Sequence, residues 1–109
     1  MNQASQPDSE LHSLLQDLWQ RHLPATRERL DQLEKAICVA AAGDLAENER
    51  AEAQATAHKL SGNLGMFGYT EAGEAASEIE YIFKGPTPKT LPALRDHMLR
   101  LRTLLAGHL

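Results

Sequence analysis

From Ser9 onward, apolar residues return at three- and four-residue steps almost to the end of the chain. Leu11, Leu14, Leu15, Leu18, Trp19 and Leu23 form the first such stripe, which is the period of an amphipathic α-helix. The spacing predicts a first helix over about Ser9 to His22, with Asp8 or Ser9 as its N-cap. Pro24 should end or kink it, because proline lacks the backbone N–H that a helix interior uses and fits only a first turn. A second helix turns Leu30, Leu33, Ile37 and Ala40 or Ala41 inward, and Gly43 can take the left-handed conformation that closes it.

Three further stripes follow. Asp44-Leu45-Ala46-Glu47 has the spacing of a capping box and predicts a helix start there. Its inward face is Ala53, Ala57, Leu60, Leu64 and Phe67, and Gly68 ends it. Thr70 can cap the next helix, with Glu71 and Glu74 near a first turn whose dipole favours acids. Ala72, Ala75, Ala76, Ile79, Ile82 and Phe83 face inward on that helix, and Gly85-Pro86 stops it. A last helix opens at Thr87 or, better, Thr90, which leaves Pro92 in the first turn; Leu94, Met98, Leu101 and Leu105 line it as far as Gly107.

Connections this short set successive helices antiparallel. The expected fold is all-α: an antiparallel up-and-down four-helix bundle, with the additional N-terminal helix set off by Pro24 and capping one end. Residues 1–7 are expected as a disordered polar tail and residues 8–109 as one domain. Composition agrees. With one valine, three isoleucines and 5% aromatics in 109 residues, the chain lacks the β-branched and aromatic residues that cover a pleated sheet.

Charge and residue counts then exclude function classes. A formal net charge of −4 and the absence of a basic stripe argue against nucleic acid as a partner. No apolar run approaches the roughly 20 residues of a membrane span, and no secretory signal is visible at the N-terminus. The single cysteine, Cys38, reads as a small core or boundary residue and fits a reducing cytoplasm. None of the five histidines has a glutamate three residues before it, and no two lie four apart. No metal site of the bundle type is therefore expected. Gly62, Gly65 and Gly68 do not form a nucleotide-binding glycine pattern.

One segment asks for more than a bundle: Ala57-His58-Lys59-Leu60-Ser61-Gly62-Asn63-Leu64-Gly65-Met66-Phe67-Gly68. A glycine in a helix interior costs about 0.8–1.0 kcal/mol relative to alanine, and Gly62 and Gly65 both fall inside this helix. At about 100° per residue, the helical neighbours of His58 are Gln54, Ala55, Ser61, Gly62 and Gly65, with Ala51 one turn further back. All but Gln54 are small. His58 itself stands about 100° off the core stripe, on a face stripped of bulk. Its spacing alone also admits an ordinary boundary histidine with a satisfied hydrogen bond. His12, His22, His97 and His108 have no comparable surroundings.

His58-Lys59-Leu60-Ser61-Gly62, with Gly68 ten residues after the histidine, resembles the H-x-L-K-G-x-x-x-x-x-G signature of histidine phosphotransfer (HPt) domains, in a variant of the form H-K-L-[SA]-G. The motif spans about a tenth of the chain, and the expected bundle extends the likeness to nearly all of it. The resemblance implies a phosphorelay module that accepts a phosphoryl group from one receiver-domain aspartate and returns it to another. His58 is the position that would be phosphorylated. Glu80 matches the family's polar partner on the next helix, which would accept the Nδ1–H of His58 and leave Nε2 free. The helical wheel places Glu80 one residue past core Ile79, as His58 lies one past Ala57; a merely solvated glutamate has the same position. Ala51, Ala55, Ser61, Gly62 and Gly65 would form the surface that a partner approaches.

The resemblance also implies the partners: response-regulator receiver domains and a hybrid histidine kinase, in the cytoplasm. No cofactor is expected on this chain, and the Mg²⁺ of the reaction is expected on the receiver. With no ATP-binding region recognised, the resemblance implies a phosphocarrier rather than a kinase. A bundle with one bare face needs no dimer, so a monomer is expected. One departure stands out: the family's lysine three residues after the histidine is Ser61 here. Lys59, about 100° around the helix, and Lys84, one turn beyond Glu80, are the candidates to assist the phosphoryl group; both also read as ordinary surface lysines. The rival function is a non-catalytic interaction module, a degenerate phosphotransfer domain that docks receivers without accepting phosphate.

Overall fold

Pro24 does not break the chain. In the computed structural model, which describes residues 6–109 and side chains from residue 9, a single helix α1 runs from Gln6 to Ala41 with Pro24 inside it. The helix predicted to cap one end of the bundle is thus the N-terminal half of α1, and Asp8 and Ser9 lie within α1 rather than capping it. The tail expected over residues 1–7 falls mostly outside the described residues. Proline in a helix interior removes one backbone hydrogen bond and costs about 3 kcal/mol, but its neighbours compensate. The orphaned carbonyl belongs to exposed Gln20, where water can satisfy it. On the inner face Trp19, Leu23, Thr26 and Leu30 are all buried, and the Thr26 hydroxyl donates to the His22 carbonyl at 3.1 Å. Core contacts on both sides of Pro24 hold the two halves in one continuous helix.

Helices α2 (Glu47–Met66), α3 (Thr70–Lys84) and α4 (Ala93–Leu105) complete the bundle, and the described residues contain no strand. The inward stripes read from the sequence form the core: Leu30, Leu33, Ile37 and Ala40 from α1, Ala53, Ala57, Leu60 and Leu64 from α2, Ala72, Ala75, Ala76, Ile79, Ile82 and Phe83 from α3, and Leu94, Met98, Leu101 and Leu105 from α4. Ala41 is exposed and Phe67 only half-buried. Cys38 is exposed rather than at a core boundary, because it lies about 100° past Ile37, outside the stripe.

Helix ends differ from the predicted ones by a residue or more. Ala46, not Asp44, is the N-cap of α2. Alanine offers no side-chain acceptor, so only the return half of a capping box is built, with the Ala46 N–H donating to Glu49 at 3.0 Å. Thr70 is the first residue of α3, not its cap. Thr87 and Thr90 close a turn on each other, the Thr87 N–H donating to the Thr90 hydroxyl at 3.0 Å, so α4 begins only at Ala93, after Pro92. Gly43 and Gly68 do take positive φ, 79° and 89°, in the left-handed region that glycine reaches without a Cβ penalty.

At the end of the bundle beyond Met66, Trp19 makes an edge contact with Phe67 and a tilted one with Tyr69, centroids 5.3 and 4.7 Å apart. Its Nε1–H donates to the His108 carbonyl at 2.9 Å. N-terminal to that seal, α1 continues without the other helices. The molecule accordingly measures 62 × 23 × 21 Å, the long dimension set by α1, whose 36 residues span about 54 Å at 1.5 Å per residue.

Candidate functional site

His58 and Glu80 meet because α2 and α3 pack closely against each other. Gly73, buried on α3, permits it: a Cβ there would lie 3.2 Å from the Ser61 carbonyl oxygen and 3.4 Å from the Gly65 backbone nitrogen. At the other end of the helix pair, Arg50 of α2 reaches across to α3. Its Nη1 donates to the Phe83 carbonyl at 2.7 Å and to Gln54 Oε1 at 2.9 Å. That bond satisfies one of the carbonyls left open in the last turn of α3. Glu47 holds the other side of the guanidinium at 2.7 and 2.9 Å, and this hydrogen bond keeps the Glu47 carboxyl below the usual carboxylate range.

Between these two anchors, His58 Nδ1 lies 2.9 Å from Glu80 Oε2. An ionised carboxylate can only accept, so the hydrogen is assigned to Nδ1 and the lone pair to Nε2. The exposures are unequal: the imidazole is 75% exposed and the Glu80 side chain 25%. The carboxylate is therefore held at the helix–helix edge, while the ring stands in solvent with its second nitrogen available. Gln54, Ala51, Ala55 and Lys59 line the same shallow depression as His58 and Glu80.

The surface around the ring is as bare as its residue types imply. Ala51, Ala55, Gly62 and Gly65 are exposed, and Ser61 is half-buried. A Cβ added at Gly62 or Gly65 would meet nothing within 4 Å, so neither glycine is demanded by packing at its own Cα. Lys59 borders the depression. Lys84 is exposed at the C-terminal end of α3, outside it. Neither lysine forms a salt bridge among the described residues. Nor do the described residues hold a group of three or more His, Cys, Asp or Glu side chains placed for a metal ion, and no helix among them is long and apolar enough to cross a membrane.

Comparison with known proteins decides the family. The family model described as "Hpt domain" matches residues 17–107, which takes in all of α2, α3 and α4 and most of α1. The chain belongs to the Hpt domain family. As an Hpt domain it is a phosphotransfer module of two-component signalling. A curated relative, Protein RcaC of Microchaete diplosiphon, is 28% identical over 93 residues, covering 83% of this chain and 14% of that protein; the chain thus spans a small part of its relative's length. No solved structure matches.

Two residues that shape this candidate site escaped the reading of the sequence. Gly73 carried the same signal as Gly62, a glycine inside a helix, but sits in an alanine-rich stripe where it passes for one more small core residue. Arg50 gave no local signal, since its partner, the Phe83 carbonyl, lies 33 residues away.

The open space at Gly62 leads to a prediction with opposite signs for stability and function. Gly62→Leu should fold and melt at a higher temperature, as the helix gains up to about 1 kcal/mol of propensity. The bulk it places beside His58 should slow phosphoryl transfer from a receiver about tenfold or more, because small misplacements of a reacting group are costly. Unchanged transfer by a folded variant would remove the idea that this face is kept bare for a partner.

Proposed function

We propose that His58 is the phosphoryl-accepting residue of a phosphorelay and that the chain shuttles the group between receiver-domain aspartates. The observation that carries this reading is the 2.9 Å contact between His58 Nδ1 and Glu80 on a ring whose other nitrogen faces solvent beside a surface of alanine and glycine. In the transfer, the Nε2 lone pair attacks the phosphorus of an aspartyl phosphate. A P–N bond forms, the P–O bond to the aspartate breaks, and the carboxylate leaves. The ring then carries a positive charge, with its hydrogen still on Nδ1, and the Glu80 carboxylate stabilises it. No proton has to move, which keeps the step reversible toward a second aspartate.

The chain supplies an oriented nucleophile and an approach surface. The receiver supplies the acidic pocket and its Mg²⁺, and a hybrid histidine kinase is the upstream source of phosphoryl groups. This division of labour makes the chain a phosphocarrier without its own ATP site, working in the cytoplasm beside its receivers. Lys59, bordering the depression, is the better placed of the two lysines to meet the phosphoryl oxygens in place of the lysine absent at Ser61.

The test is incubation with a phosphorylated receiver domain. Acid-labile label appearing on this chain supports the carrier; stable binding without label supports a docking module instead. Glu80→Gln should retain the fold and slow labelling about tenfold, equivalent to ~1.4 kcal/mol of charge stabilisation lost in the transition state. Label accumulating at the wild-type rate on Glu80→Gln would show that Glu80 is a bystander.

A further inference from the structure

The projecting half of α1 exposes an apolar stripe that nothing in the bundle covers. Leu11, Leu14 and Leu18 are 54, 55 and 40% exposed, and Leu15 is half-buried. At positions i, i+3, i+4 and i+7 they form one continuous helical seam, lying beyond the Trp19 seal. Isolated exposed leucines need no explanation, whereas a seam of four on a helix without neighbours marks an interaction surface.

The charges beside the seam select its occupant. Glu10 and Arg21 lie on the same flank, within about 20° of each other on the helical wheel, one at each end of the leucines. Both are exposed, and among the described residues the Arg21 side chain, 73% exposed, is held by Asp17 alone, one turn away. When two copies of a helix pair antiparallel about a two-fold axis, each flank faces its own counterpart with the ends exchanged. Glu10 of one copy then meets Arg21 of the other, twice. The register that brings Glu10 level with Arg21 differs from the one that centres the leucines by about 3 Å along the axis, within reach of an arginine side chain. Leucine levels from the two copies then alternate along the seam. A parallel pair would instead turn the Glu10 flank toward the opposite flank of the other copy, where no lysine or arginine stands at the level of Glu10.

We infer that the chain self-associates through residues 10–21 of α1 as an antiparallel two-fold dimer. This surface is independent of the phosphoryl site: His58 lies about 14 Å along α2 from the Phe67 end of the bundle, so both phosphoryl sites of the dimer stay open to receivers. The expectation of a monomer came from the bare face around His58, which the pairing does not use. The seam is short, so the association is concentration-dependent.

Analytical ultracentrifugation of the full chain from about 1 µM to about 1 mM brackets the affinity expected of an interface this small. The wild type should shift from monomer to dimer across that range. Leu14→Glu, outside the bundle, should remain monomeric with an unchanged melting temperature. Glu10→Arg and Arg21→Glu should each weaken the dimer about tenfold, through two lost attractions and two new repulsions. The double exchange Glu10→Arg/Arg21→Glu should restore it. A wild type that stays monomeric throughout, a dimer indifferent to Leu14→Glu, or single exchanges without the rescue would each overturn the proposal.

Discussion

His58→Gln is expected to abolish phosphoryl labelling by a phosphorylated receiver while leaving the fold intact. The side chain is 75% exposed and belongs to no part of the core, so its loss removes the Glu80 contact and little else. Glutamine offers an amide nitrogen whose lone pair is delocalised, so no nucleophile replaces the ring. Nor does another histidine stand in. His22 is half-buried, held by Arg29 at 3.2 Å and packed on Phe67. His108 packs against Tyr69, His12 pairs with Gln16 at 3.5 Å, and His97 is half-buried on α4. Among the described residues, none of the four has a carboxylate fixing one nitrogen beside a clear surface. The expected effect is complete loss of label with unchanged circular dichroism and melting temperature. Residual labelling of the variant at a comparable rate would move the acceptor to one of these four.

Gly73→Val is the substitution expected to damage stability and site together. Its Cβ would press on the Ser61 carbonyl at 3.2 Å and the Gly65 nitrogen at 3.4 Å. These are backbone atoms of a helix and cannot rotate away as a side-chain tip would, so α2 and α3 must part. Overpacking of this kind costs about 2 kcal/mol, enough to lower the melting temperature of a domain this size by roughly 10 °C. Replacing glycine in a helix gains less than 1 kcal/mol in return. Parting the helices also lengthens the His58–Glu80 contact, which spans the same interface, so transfer should slow even at temperatures where the variant is fully folded. A rise in melting temperature would show that the helices have slack at this crossing.

The behaviour of particular residues explains what was legible in the sequence. The stripe Ala53, Ala57, Leu60 and Leu64 announced its own burial because helical period and core geometry are the same fact stated twice. His58 and Glu80 stand at matching offsets on their two helices, and in the structure their side chains lie 2.9 Å apart; the offsets were legible in the sequence, whereas the roles of the two residues belong to the proposal. Pro24 misled, since a local rule about proline was outweighed by Trp19 and Leu23 on one side and Thr26 and Leu30 on the other, all packed into one core. The leucines of the first stripe misled in the opposite way. Periodicity says that Leu11, Leu14 and Leu18 share a face, but not whether anything lies opposite. Capping positions slipped for a subtler reason: Asp44, Thr70 and Thr90 are all competent caps, and the choice among neighbours was made by where the chain had to enter the bundle. Gly73 and Arg50 act through the backbone of another helix, a kind of contact that leaves no periodic trace.

The most direct test is nitrogen and phosphorus NMR on the chain, labelled with ¹⁵N in its histidines, after exposure to a phosphorylated receiver. The predicted result is a single phosphohistidine at His58, phosphorus bonded to Nε2 and hydrogen retained on Nδ1. Phosphorus on Nδ1, on another histidine, or on none while the receiver still binds would contradict the account.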